Sequence, residues 1–286
     1  MPLVLGIEST CDETAAAVVS GTRVLSNVIV SQIEDHAVFG GVVPEIAGRM
    51  HVEAIVPTVR QAIAKAGVER TDLDAIAVAN RPGLIGSLVV GTTAAKTLAW
   101  TLGKPLVGVD HVRAHLHSVL LDQINEPALP AVGLVVSGGH TSLYVVRSWH
   151  DITRIGRTID DAVGEAYDKA AAMLGLGYPG GPIIDRLATH GNSNALDLPR
   201  PLLGRESLDF SFSGLKTALL YAVFGEKGRA RLVEDVTEQE KADACASFQA
   251  ACIAVLTKKL QRAIDQTSAK SILIGGGVSA NRGLRA

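Results

Sequence analysis

Cysteine is scarce in this sequence: three residues, Cys11, Cys245 and Cys252, among 286. An odd number at so low a density excludes a disulfide scaffold. With no charged-then-apolar leader before Leu3, it points to a reducing cytosol. Long hydrophobic runs are missing too. No stretch approaches the roughly 20 apolar residues of a spanning helix, so a soluble, cytoplasmic protein with no membrane association is expected. Neither sign of charge dominates: 27 Lys+Arg stand against 29 Asp+Glu, a net charge of −2, and the pI is near 6.4. That balance gives no global attraction for nucleic acid or anionic lipid, and such a partner must meet a local patch. Aromatic residues are only 4%, yet hydrophobic residues reach 47% against 20% charged, and the mean hydropathy is +0.26. This leaves ample apolar area for a core and excludes a disordered chain. The length admits one large or two modest domains.

What is present is an α/β pattern that occurs twice. Residues 2–7 form a short apolar run, the polar cluster Glu8-Ser9-Thr10-Cys11-Asp12-Glu13-Thr14 follows, and residues 15–19 and 23–30 are apolar again, which reads as strand, turn, strand, turn, strand. Helical spacing covers 45–66 and 87–102, with short buried strands at 74–79 and 105–109. A second pass begins at Pro130. It has strands at 131–136 and 141–146 around the turn Ser137-Gly138-Gly139-His140, then a third strand at 151–158. Helices are expected at 163–174, 182–190, 214–223 and 240–264, and a last strand at 271–274 runs into Gly275-Gly276-Gly277. A hairpin opening each α/β half is the outline of a duplicated fold with a cleft between halves. The lobes are expected at 1–110 and 111–286. On the 240–264 helix, Cys245, Phe248, Cys252, Leu256 and Leu260 share one face, so two of the cysteines are core residues. Cys11, in the polar turn, has a structural, backbone-shaping role or a catalytic one.

Several constellations are candidates for chemistry. Val136-Ser137-Gly138-Gly139-His140-Thr141 is either a tight turn that needs glycine or a cradle whose bare backbone N–H groups admit a phosphate. Gly275-Gly276-Gly277-Val278-Ser279-Ala280-Asn281 follows a strand and opens a helix, the context in which backbone donors meet an anion. Its spacing is not the dinucleotide fingerprint, and no G-x-x-x-x-G-K-[ST] occurs, which disfavours a Rossmann dehydrogenase and a P-loop ATPase. His111 and His115, four residues apart on a starting helix with Asp110 as its N-cap, project from one face. They either share a metal or are ordinary surface or core histidines, with His117 an unrelated third. A zinc peptidase of the H-E-x-x-H type would need glutamate at Val112, and it is absent. Two ligands are too few, so a carboxylate or substrate oxygens must complete the sphere. Glu8, Asp12 and Glu13 form one carboxylate group. Asp160, Asp161, Glu165 and Asp168 form another, whose plain reading is a solvated helix face. Asp185 lies inside a helix opened by Gly180-Gly181-Pro182, from which it can point back to a ribose or base.

In this order the pieces resemble one family, the universal tRNA N6-adenosine threonylcarbamoyltransferases, bacterial TsaD among them, once known as O-sialoglycoprotein endopeptidases. The resemblance rests on Gly6-Ile7-Glu8-Ser9-Thr10-Cys11-Asp12-Glu13-Thr14, Gly40-Gly41-Val42-Val43-Pro44-Glu45, Pro82-Gly83-Leu84-Ile85-Gly86-Ser87-Leu88, the His111 and His115 pair, and the 136–141 turn. It continues through the Gly175 to Asp185 segment, Ser211-Phe212-Ser213-Gly214-Leu215-Lys216, and the 275–281 turn, so it spans nearly the whole chain. It implies a duplicated actin-like, sugar-kinase-like ATPase fold. It also implies the transfer of a threonylcarbamoyl group from threonylcarbamoyl-adenylate to N6 of the adenosine beside the anticodon, in tRNAs reading codons that begin with A.

Carried onto this sequence, the resemblance makes His111 and His115 ligands of one divalent metal, iron or zinc. Val136, Ser137, Gly138, Gly139 and His140 lie along the phosphate and threonylcarbamoyl part of the bound adenylate, ATP or AMP. Asp168, Gly181, Asp185 and Asn281 hold the nucleoside, and Glu13 with Asp12 orients the incoming amine or takes its proton. It implies tRNA, a smaller paralogous subunit and a P-loop ATPase subunit as partners. Arg200, Arg205, Lys216, Arg229 and Arg231 form a tRNA-facing patch or a plain solvated surface. Two departures stand out. Asn80-Arg81 precedes Pro82 where the family usually has glycine, and the sequence stops at Arg285-Ala286, before an Asp-Asn-Ala motif whose aspartate is the family's third protein ligand. The expectation is a C-terminal lobe cut short, or a metal held weakly by two histidines. Other readings of the same motifs are a non-catalytic paralogous platform, which would lack the histidine pair, and a small-molecule kinase of the same fold.

Overall fold

The computed structural model describes residues 1–123, 125–202, 204, 206–225 and 230–286. The chain divides into two compact units, Met1–Glu126 and Pro127–Ala286. The division falls later than the 110/111 boundary read from the sequence, because the helix carrying the histidine pair packs back on the strands that precede it.

The first unit contains β1 (Leu3–Glu8), β2 (Glu13–Ser20), β3 (Arg23–Ser31), α1 (Ile33–Ala37), α2 (Pro44–Ala66), β4 (Ala75–Arg81), α3 (Ile85–Leu102), β5 (Leu106–Asp110) and α4 (His111–His117). Its sheet has the order β3-β2-β1-β4-β5. β1 runs antiparallel to β2, from Leu3 opposite Ser20 to Glu8 opposite Ala15, and parallel to β4, which is itself parallel to β5. The buried core is aliphatic and small: Leu5, Ile7, Val18, Leu73, Ile76, Ala95 and Ala99.

The second unit contains β6 (Ala131–Val136), β7 (Thr141–Val146), β8 (Ile152–Arg157), α5 (Val163–Met173), α6 (Gly180–Leu187), α7 (Ser213–Phe224), α8 (Glu238–Thr267), β9 (Ser271–Gly275) and α9 (Arg282–Arg285). Its sheet order is β8-β7-β6-β9, with β9 parallel to β6. The β3-β2-β1-β4 order of the first unit is thus repeated strand for strand, and the duplication read from the two hairpins is a property of the topology. Every residue of β6 and β7 is buried, as in strands covered on both faces.

The few aromatic residues are concentrated in this second core. Tyr167 and Phe248 meet edge to face at 5.4 Å between ring centroids, and Phe210 stacks on Phe212 at 6.2 Å. α8 starts with a capping box: the Glu240 amide donates to the Thr237 hydroxyl at 3.3 Å, and the Thr237 amide donates to Glu240 Oε2 at 2.9 Å. Its thirty residues bury Cys245, Phe248, Cys252, Leu256 and Leu260, the face expected from their spacing. Among the described residues no helix is long and apolar enough to cross a membrane.

Lys259, also on α8, is fully buried. Its ammonium donates to the Leu202 carbonyl at 2.9 Å and to the Ser207 carbonyl, and so staples the segment before β-bridged Phe210 to the helix. Burial, with Arg262 nearby, pulls its pKa below the usual lysine range. Replacing Lys259 by Met keeps the stem but removes the ammonium from both carbonyls, leaving Ser207 only its longer contact from Arg262 at 3.4 Å. A loss of about 1–3 kcal/mol is expected in denaturant unfolding, whereas Lys258→Met, on an exposed position of the same helix, is expected to change stability by less than about 0.5 kcal/mol.

Candidate active site

In the first unit the carboxyl ends of parallel β1, β4 and β5 present Glu8, Arg81 and Asp110 at one edge of the sheet, where ligands of open α/β sheets bind. Asp110 caps α4 as expected: its Oδ1 accepts from the amides of Val112 at 3.0 Å and Arg113 at 3.1 Å. Arg81, largely exposed, sets its Nε 3.5 Å from Asp110 Oδ2. The i, i+4 spacing brings His111 and His115 together, with ring centroids 4.6 Å apart at 74°. His117 turns back on its own helix, donating from Nδ1 to the Arg113 carbonyl at 2.9 Å.

Glu8 joins this pair, a contact the sequence did not disclose. Its Oε2 is 3.0 Å from His111 Nδ1, and its Oε1 accepts from the Thr10 amide at 2.5 Å. Burial works to raise the Glu8 pKa, but the hydrogen bonds and charge of His111, together with Thr10, outweigh it and hold the carboxyl below its ordinary value. Glu13 moves the other way. Burial raises its pKa, with the neighbouring Asp12 and Glu8 carboxylates, against a smaller opposing pull from His111. Although its residue is exposed, the Cys11 thiol is pushed up to about 12 by the partial desolvation of its sulfur in the turn and by the Asp12, Glu13 and Glu8 carboxylates, which removes it as a thiolate nucleophile near neutral pH. Its contribution is the backbone: the Cys11 carbonyl accepts from His51 Nε2 at 2.9 Å and from the Ser87 hydroxyl at 3.3 Å.

Among the described residues no group of three or more His, Cys, Asp or Glu side chains is arranged to hold a metal ion. The donors present nevertheless suit one. Two imidazoles lie on one helix face, and one of them has its Nδ1 against a carboxylate, the arrangement that orients a ring to coordinate through Nε2. The fit is to a divalent ion that takes its remaining donors from elsewhere.

In the second unit the Ser137–His140 turn sits between β6 and β7. The Ser137 and Gly138 carbonyls accept from the Gly164 amide at 3.2 Å and the Glu165 amide at 3.1 Å, and Thr141 Oγ1 accepts from the Val163 amide at 2.8 Å. The turn therefore caps α5, which has no side-chain cap at its own first residue. Because peptides are trans and planar, carbonyls aimed at α5 turn the Gly138 and Gly139 N–H groups away from it. Two glycines outside the turn make this packing possible. A Cβ on Gly164 would lie 2.6 Å from the Ser137 carbonyl oxygen, and one on Gly276, at φ +93°, would collide with that of Val136. The two glycine-rich turns singled out in the sequence are thus in contact.

The residues expected at the nucleoside are ordered by internal bonds. Asp168 Oδ1 accepts from the Gly180 amide at 2.8 Å, which fixes the start of α6 and with it Gly181. Asp185 Oδ1 accepts from the Arg282 amide at 3.2 Å, and its Oδ2 is 3.7 Å from Arg282 Nε, so it ties α6 to the segment after β9. Asn281 caps α9 through Oδ1, 2.9 Å from the Leu284 amide, and donates from Nδ2 to buried Gln249 Oε1 at 2.7 Å. Sequence reasoning missed Glu8 as His111's partner, Gly164, Gln249, Arg282 and His51. Only Gln249 carried a signal, as a polar residue on the apolar face of α8. Of the basic residues read as a tRNA-facing patch or a plain solvated surface, the described ones have these surroundings. Lys216 pairs with Asp161, Arg231 makes a two-pronged contact with Glu240 at 2.8 and 3.0 Å, Arg200 is exposed, and Arg205 and Arg229 lie outside the described residues. Asp160 also has a structural task, accepting from the Phe212 amide at 2.8 Å and the Ser211 hydroxyl at 2.5 Å.

The repeated meander-plus-parallel-strand units define the duplicated α/β fold of the actin and sugar-kinase class. HypF of T. kodakarensis shares the fold, with a TM-score of 0.58 over 99% of this chain and 43% of that one at 13% identity, a likeness of fold alone. The chain belongs to the tRNA N6-adenosine threonylcarbamoyltransferase family, whose TsaD model matches residues 23–286. Proteins of that name from Trichlorobacter lovleyi and Syntrophotalea carbinolica are 53% and 50% identical to it over 284 residues. In each case the match covers 99% of this chain and 81% of the relative.

Gly276→Ala is expected to destabilise the protein by about 2–3 kcal/mol in chemical unfolding, since both its φ and its contact with Val136 forbid a methyl group. Gly277→Ala, whose Cβ meets nothing within 4 Å, is expected to change stability by less than about 1 kcal/mol.

Proposed function

We propose that this chain transfers the threonylcarbamoyl group of threonylcarbamoyl-adenylate to N6 of the adenosine next to the anticodon in tRNAs that read codons beginning with A. The observation that carries this reading is the family match over residues 23–286. The geometry of the acidic turn and the histidine pair supplies chemistry that suits it.

The exocyclic amine of adenosine is a weak nucleophile whose lone pair is delocalised into the purine. Transfer requires that it attack the carbamoyl carbon, that the bond from this carbon to the phosphate oxygen break, that AMP leave as an anion, and that the amine lose a proton. Glu13, with its raised pKa, is the carboxylate suited to receive that proton, and Asp12 beside it orients the amine. Glu8, held ionised against His111, is suited to fixing the imidazole rather than to moving protons. A divalent iron or zinc ion held by His111 and His115 would supply Lewis-acid stabilisation of the charge that develops on the mixed anhydride. Val136, Ser137, Gly138, Gly139 and His140 would line the phosphate and threonylcarbamoyl part, with the Gly138 and Gly139 amides as donors. Asp168, Gly181, Asp185 and Asn281 would shape the nucleoside site. A cytoplasmic setting, a smaller paralogous subunit and a P-loop ATPase subunit complete the reading.

Incubation with threonylcarbamoyl-adenylate, unmodified tRNA and the partner subunits is expected to yield threonylcarbamoyl-adenosine in nucleoside digests analysed by mass spectrometry. Unmodified adenosine throughout would overturn the reading. His111→Ala and His115→Ala are each expected to abolish bound metal in elemental analysis. Glu8→Gln, which weakens the orienting contact, is expected to lower zinc affinity by about 10-fold in chelator competition.

A further inference from the structure

His51 lies in the middle of α2, fully buried and remote in sequence from every motif assigned a task above. Both of its ring nitrogens are engaged: Nδ1 is 2.7 Å from the Thr14 hydroxyl and Nε2 is 2.9 Å from the Cys11 carbonyl oxygen. A carbonyl can only accept, so Nε2 carries a proton and donates to it, while the Thr14 hydroxyl bonds Nδ1 on the other side of the ring. Thr14 therefore holds the ring in the orientation that His51 needs to reach the turn.

That turn carries Asp12 and Glu13, and its backbone is held at three successive carbonyls. The Thr10 carbonyl accepts from the Leu84 amide at 2.8 Å, at the start of α3. The Cys11 carbonyl accepts from His51 and from Ser87, whose own carbonyl accepts from the Ser9 hydroxyl at 2.9 Å. The Asp12 carbonyl accepts from the Gln32 amide at 3.0 Å. The first and third anchors are backbone groups. The middle one is made by side chains, with His51 the shorter contact, and it fixes the peptide plane that joins Cys11 to Asp12. Rotation of that plane would swing both carboxylates.

We propose that His51 is a positioning residue for the transfer: by donating from Nε2 to the Cys11 carbonyl it locks the Cys11–Asp12 peptide and aims the Asp12 and Glu13 carboxylates. The assignment rests on the reading that this acidic turn handles the amine. The experiment separates the two by reading the turn directly, through Cys11, which is exposed while Cys245 and Cys252 are buried.

His51→Leu removes the donor, His51→Gln retains an N–H at the Nε2 position, and Thr14→Val removes the hydroxyl that holds the ring without changing the side chain's shape. Each is made in the full chain, checked for native circular dichroism, and assayed for labelling of Cys11 by an aromatic disulfide and for single-turnover transfer at saturating threonylcarbamoyl-adenylate. His51→Leu is expected to label Cys11 about 10-fold faster, as the thiol escapes its carboxylate neighbours. Its transfer rate is expected to fall by about 10-fold or more, with KM for the adenylate unchanged. Thr14→Val should move both readouts the same way by about 3-fold, and His51→Gln should restore both to near wild-type values. If His51→Leu fails to fold, the Thr14→Val and His51→Gln pair decides. Wild-type labelling and transfer in Thr14→Val or His51→Leu would overturn the proposal, as would His51→Gln behaving no better than His51→Leu. Should Asp12→Asn and Glu13→Gln leave transfer intact, the catalytic reading of the turn fails, and the labelling rates alone still report whether His51 holds it.

Discussion

A carbonyl at a hairpin turn that is covered by a helix must find a donor, and in both units that demand organises the site. In the second unit the amides at the start of α5 satisfy Ser137 and Gly138, so a helix without a side-chain cap and a turn without side chains complete each other. The turn's own N–H groups are left facing away from the helix, which is what an anion site needs. In the first unit the equivalent hairpin closes through three carbonyls held by Leu84, His51 with Ser87, and Gln32. The same position in a duplicated fold is thus stabilised in two ways. One exposes backbone donors, and the other exposes carboxylates.

The electrostatics follow from that difference. Glu8 and Glu13 are five residues apart in sequence and have opposite tendencies, Glu8 held ionised by His111 and Glu13 biased towards holding a proton by burial and by Asp12 and Glu8. Two carboxyl groups pushed apart in this manner can serve different roles, one fixing a ring and the other exchanging a proton. The Cys11 thiol between them is pushed up to about 12, and Cys11 contributes its backbone carbonyl rather than its sulfur.

Much of this was legible beforehand. Period-two and period-3.6 patterns located the strands and the longer helices to within a few residues: 45–66 became Pro44–Ala66, and 240–264 became Glu238–Thr267. Asp110 as a cap and the i, i+4 approach of the two histidines follow from local geometry and needed no tertiary information. The short α1 was missed because one turn has no period to detect. A cation's partner is invisible in sequence: Asp161 is distant from Lys216 along the chain, yet the two are joined in the fold. The lobe boundary was placed too early because α4 looks like an opening element in sequence and packs as a closing one.

By itself the sequence determined the class of fold, the duplicated hairpins, and the residue types that can carry the chemistry, because these depend on periodicity, short-range spacing and motif order. Only the tertiary structure decided which of those residues are joined. Glu8 reaches His111, Gly276 lies against Val136, Asp185 is bonded to Arg282, and His51 holds Cys11. Each of these contacts links elements far apart along the chain, and strand order and helix packing bring them together, which no local pattern of side chains encodes.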